Sequence, residues 1–85
     1  MDKIGYVCIY SRTPEEAAQN VLRLIVGGQC GFDEGAEAWR AEIHEWLEGG
    51  ADLRPLNNCG ASLTVAQWRA ALERVVAGLD AELGG

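Results

Sequence analysis

Residues 3–18 read KIGYVCIYSRTPEEAA, and the division of this stretch decides the fold class. Ile4–Tyr10 is rich in the β-branched and aromatic residues that suit a pleated surface. Alternation puts Ile4, Tyr6, Cys8 and Tyr10 on one face and Gly5, Val7 and Ile9 on the other. Both faces are mostly apolar, so the segment reads as a strand covered on both sides. Helical signals take over within three residues. Thr13 suits an N-cap, Pro14 the first helical position, and Glu16 completes a T-x-x-E capping box.

Working outward, the first helix presents Ala18, Val21, Leu22 and Ile25 as an apolar stripe and stops at Gly27-Gly28. A Gly-rich connection, GGQCGFDEG (27–35), leads to a second helix. Asp33 is its expected N-cap and Phe32 is expected to anchor the connection in the core. In this helix Ala36, Trp39, Ile43 and Trp46 recur at helical spacing, with Leu47 beside them, and Gly49-Gly50 end it. The segment ADLRPLNNCGAS (51–62) reads as a loop, with a short extended piece at 52–56 or 59–63 as a second strand. The third helix starts at the N-cap Thr64. Gln67 closes a second capping box and Leu63 is placed to staple onto Trp68. Its seam is Val65, Trp68, Leu72, Val75, Leu79 and Leu83. The expected fold is therefore a small α+β domain spanning 1–85. It has one N-terminal strand and three helices, with helices two and three packed antiparallel. A lone strand leaves an unpaired edge. Either the short second strand or a second copy of the chain, forming a homodimer through Ile4–Tyr10, is needed to cover it.

The stretch IGYVCIY resembles the first strand of serine recombinases, which reads roughly I-G-Y-x-R-x-S. In that register Cys8 stands where the family has Arg, and Tyr10 where it has the nucleophilic Ser. Ser11 is one residue out of step, which on a strand turns it to the opposite face. The resemblance thus brings no catalytic residue with it. The turn that follows is also a poor anion site. Pro14 has no N–H to offer, and Glu15 and Glu16 occupy the first helical turn, where an anion would sit.

The 85 residues are about half apolar and fit one domain. A chain of this size buries roughly 60–65% of its unfolded surface, so modest stability is expected. No apolar run approaches the roughly 20 residues of a membrane span. Met1-Asp2-Lys3 leads straight into the strand pattern without a signal-peptide layout, so a cytoplasmic location is expected. Three widely spaced cysteines, Cys8, Cys30 and Cys59, do not form a disulfide framework. Nor do they supply the close C-x₂₋₄-C pair typical of structural zinc, even with the single His44 added. The motif HEWLE (44–48) carries one His where H-E-x-x-H needs two. Cys59 has only His44 as a conceivable base, and no third group orients that pair. No nucleophile, base and orienter come together, so the chain is not expected to be an enzyme, and no metal or other cofactor is expected.

Charge carries the functional signal. The net charge is −6. Between Asp33 and Asp52 lie seven acids and one base, Arg40, whereas the rest of the chain balances six acids against six bases. The whole net charge thus sits on 20 residues. Such a field repels nucleic acid and favours a basic protein surface. Glu34, Glu37, Glu42, Glu45, Glu48 and Asp52 are the expected partner-binding residues. The leading expectation is a small acidic protein-binding module, an inhibitor that docks on a basic, nucleic-acid-binding surface of a larger protein. Phages and mobile elements encode proteins of this kind, anti-CRISPR proteins among them, against host defence systems. Two alternatives stand beside it: a metal- or redox-responsive module built on Cys8, Cys30, Cys59 and His44, and a structural dimerisation or adaptor protein.

Overall fold

The computed structural model describes residues 11–28, 34–57 and 61–84. They form three α-helices: α1 (Pro14–Gly27), α2 (Ala36–Glu48) and α3 (Val65–Glu82), with a 3-10 turn at Arg54–Asn57. The described part is 74% helical and contains no strand, so the α+β expectation is corrected to a helical fold. The expected strand Ile4–Tyr10, and the homodimer drawn through it, lie outside the described residues. The proposed second strand can be judged over most of its candidates. Residues 54–57 wind into the 3-10 turn, and 61–63 are irregular. The spacing of Leu53 and Leu56 explains the first result. Three residues make one turn of 3-10 helix, so both side chains point the same way, and both are fully buried. A strand would have sent them to opposite faces.

The helix ends follow local chemistry at three of the sites the sequence marks. Thr13 Oγ1 accepts the Glu16 backbone N–H at 3.1 Å, with Pro14 inside the first turn. Gly28 closes α1 in the left-handed conformation (φ 64°), donating its N–H to Ile25. Thr64 and Gln67 form the full reciprocal box: Gln67 N–H to Thr64 Oγ1 at 3.1 Å, and Thr64 N–H to Gln67 Oε1 at 2.8 Å. The start of α2 departs from expectation. Its N-cap is Gly35, at φ 95° and ψ 163°, with no side-chain hydrogen bond. The Asp33 expected there lies outside the described residues, as do Cys30 and Phe32.

The core gathers Ala17, Ala18, Val21 and Ile25 from α1, and Trp39, Ile43 and Trp46 from α2. From α3 come Trp68, Ala71, Leu72, Val75 and Leu79, with Leu53, Leu56, Ala61 and Leu63 contributed by the connection. Helix α3 is the common partner of the other two, and it packs most closely with α1. At Gly78 the approach to α1 is tight: a Cβ there would lie 2.7 Å from Leu22 Cδ2. Two polar contacts show the direction of α2 against α3. Arg40, early in α2, bonds Asp80, late in α3, at 2.7 Å. Arg69, early in α3, donates to the Leu47 carbonyl, late in α2, at 3.1 Å. These two helices therefore run antiparallel. Two apolar ends of the expected seam sit differently from the periodic reading: Val65 is half-buried, and Leu83 is 42% exposed beyond the last turn of α3.

One polar side chain ties the connection to the core. Asn57 is half-buried. Its Oδ1 accepts the Trp68 indole N–H at 2.8 Å and the Leu63 backbone N–H at 3.2 Å. Its Nδ2 donates to the Leu63 carbonyl at 2.8 Å. The carboxamide thus stands in for a neighbouring peptide group, satisfying both backbone groups of Leu63 just before the α3 cap.

Candidate functional site

The acidic segment is built on α2. Trp39, Ile43 and Trp46 turn inward with 1–4% of their surface exposed, which fixes the outward half of the helix by its 3.6-residue repeat. Glu37, Glu45 and Glu48 are exposed, and Glu42 is half-buried on the flank. Glu34 precedes the helix and is exposed, and Asp52 follows it and is exposed. All six expected contact residues are therefore on the surface, but they differ in what already holds them.

Asp52 is committed locally. Its Oδ1 accepts the Arg54 backbone N–H at 3.1 Å and Nε at 2.9 Å, while Oδ2 accepts Nη2 at 2.9 Å. This fork pairing, together with the backbone bond, holds the Asp52 carboxyl down at about 2, below the ordinary 3.8. It also orders the entry to the 3-10 turn. Glu48 lies 3.5 Å from the His44 ring nitrogen Nε2, one helical turn away. The side chains of Glu37, Glu42 and Glu45 make no ion pair or hydrogen bond among the described residues.

The two cations nearest in sequence explain that difference. Arg40 lies on the side of α2 that faces α3 and pairs with Asp80, so it does not neutralise the acids of its own helix. Arg54 is taken up by Asp52. The C-terminal end of α2 adds to the imbalance. Its last turn holds Glu45 and Glu48 but no basic residue, where the helix dipole favours a cation. Arg69 reaches across from α3, but to the Leu47 carbonyl rather than to a carboxylate.

Glu42 and Glu45, three apart, share one flank of the helix. They border a cleft of about 210 Å³ that is also lined by Trp46, Gly49 and Ala51. The Ala51 N–H donates to the Trp46 carbonyl at 3.0 Å and folds the chain back beside the helix end, which shapes the cleft's far wall. Two carboxylates over a small, half-apolar recess form an acceptor-only site. It offers nothing to an anion and suits a guanidinium or ammonium group.

The other constellations resolve into structural roles where they are described. Ser11 is buried and its Oγ accepts from Asn20 Nδ2 at 3.4 Å. The Thr13 hydroxyl is used by the helix cap, and Glu15 pairs with Arg74 of α3 at 3.4 Å. At the βα turn, 11–14, both hydroxyl oxygens thus accept bonds from the chain itself, which gives Ser11 and Thr13 structural roles there. His44 is exposed beside Glu48, and no group of three His, Cys, Asp or Glu side chains among the described residues could hold a metal. Cys8, Cys30 and Cys59 lie outside the described residues, so the site that would join them to His44 does too. Among the described residues no helix is long and apolar enough to cross a membrane.

Sequence reasoning located the acids but missed how Arg40 and Arg54 are allotted. The Asp52-x-Arg54 spacing could have signalled the second pairing, because an Asp side chain readily bonds the backbone two residues on. Nothing local signals the first, because Asp80 lies 40 residues away. Compared with known protein families, curated proteins and solved structures, the chain matches none.

Proposed function

We propose that this chain is an acidic protein-binding module whose outward half of α2 docks on a basic surface of a larger protein. One observation carries the reading. Glu37, Glu42 and Glu45 stand without a cationic partner among the described residues, because Arg40 is drawn to Asp80 and Arg54 to Asp52. Glu37, in the first turn, is favoured by the helix dipole, but Glu42 and Glu45 further along repel each other without that compensation. A basic partner would relieve the repulsion and be steered to the surface by the field. A basic surface large enough to need this much charge is typical of nucleic-acid-binding proteins. Occupying it would exclude the nucleic acid, which makes the module an inhibitor, in the manner of the anti-CRISPR proteins of phages and mobile elements.

The test is capture of the partner from the native host, identified by mass spectrometry, followed by kinetics with the purified pair. Glu42, Glu45 and Glu48 reversed together to Lys should leave helicity intact, since Glu45 and Glu48 are exposed, Glu42 is half-buried on the flank, and surface substitutions seldom exceed about 0.5 kcal/mol each. The variant should lose capture, chiefly through slower association. Raising salt should slow association of the unmodified pair and leave dissociation nearly unchanged. A folded triple variant that associates at the original rate overturns the reading. A captured partner that keeps its nucleic acid when the complex forms overturns the inhibitor part alone.

A further inference from the structure

We draw no further inference here: the strongest candidate, the cleft at the C-terminal end of α2 bordered by Glu42 and Glu45 over Trp46, belongs to the acidic site already described, and nothing in the structure shows the buried Trp46 indole N–H pointing into it.

Discussion

Asn57 ties the connection before α3 to the core through its side-chain amide. It answers three buried or half-buried partners at once, and two of them are the backbone groups of Leu63. Removing it strands the Trp68 indole N–H in a fully buried site. We predict that Asn57→Ala lowers unfolding stability by about 1–3 kcal/mol, the range for leaving a buried donor without its acceptor. Asn57→Asp should also destabilise at neutral pH, because a carboxylate keeps the acceptor but sets a second oxygen against the Leu63 carbonyl. Chemical denaturation of both variants is the check. A midpoint unchanged in Asn57→Ala would mean that the carboxamide does not hold the connection. Asp52 gives a pH prediction with a definite sign. Its folded carboxyl is depressed to about 2, so the Arg54 pairing stabilises fully above the ordinary 3.8 and is lost as pH falls through about 2. Carboxyl titration followed by NMR should place the Asp52 midpoint near 2 and move it up towards 3.8 in Arg54→Ala. Because the pair is exposed, the associated change in stability should be small.

At the scale of the element, the three helices start with unequal security. The α3 cap is a reciprocal box, α1 has a hydroxyl cap with Pro14 behind it, and α2 has only the backbone of Gly35. Thr64→Ala and Thr13→Ala should each cost about 0.5–2 kcal/mol. Gly35 behaves differently. Asp is ordinarily a better N-cap than Gly, yet φ 95° with ψ 163° is backbone that L side chains rarely adopt. We therefore predict that Gly35→Asp destabilises α2 although it adds a capping group, and that hydrogen exchange rises first in the first turn of that helix. Slower exchange there would show that the chain can re-enter the helix by another route. The Thr64–Gln67 box forms in full and the Thr13–Glu16 box only in its hydroxyl half, and both could be read from sequence because every atom involved lies within four residues. The Asp33 cap lacked that security: several residues in the Gly-rich connection compete for the position, and sequence spacing cannot rank them.

Across the whole molecule, α3 approaches the Leu22 side chain of α1 closely at Gly78. In the middle of a helix Gly costs about 1 kcal/mol relative to Ala, so its presence there calls for a compensating contact. Leu22 supplies it, with its methyl occupying the space a Cβ would need. We predict strong coupling between the two positions. Gly78→Ala alone gains helix propensity but crowds Leu22. With Leu22→Ala the crowding is gone, and the double-mutant cycle should show an interaction energy of about 0.5–3 kcal/mol. Strict additivity would mean that the Leu22 side chain turns aside at little cost. The charge asymmetry is also a property of the whole. Arg40 balances Asp80 only because α2 and α3 run antiparallel. That pairing leaves the far flank of α2 without a cation among the described residues, which is the basis for the proposed docking surface.

The sequence by itself determined the three helices, two of their caps, the stops at Gly28 and Gly49, and the outward placement of the acids. These depend on backbone sterics, on hydrogen bonds spanning a few residues and on a 3.6-residue repeat, all of which are local. Tertiary structure decided the fold class and the state of each charge. The extended reading of 52–56 failed because Leu53 and Leu56 gain more by entering one core together than by alternating across a sheet. The six acids looked alike in the sequence, yet Asp52 is paired, Glu48 borders His44, and Glu42 flanks a cleft. Which of them remains without a cation among the described residues depends on where Arg40 and Arg54 find their own counter-charges. For Arg40 that counter-charge is 40 residues away, and only the packing of α2 on α3 brings it within 2.7 Å.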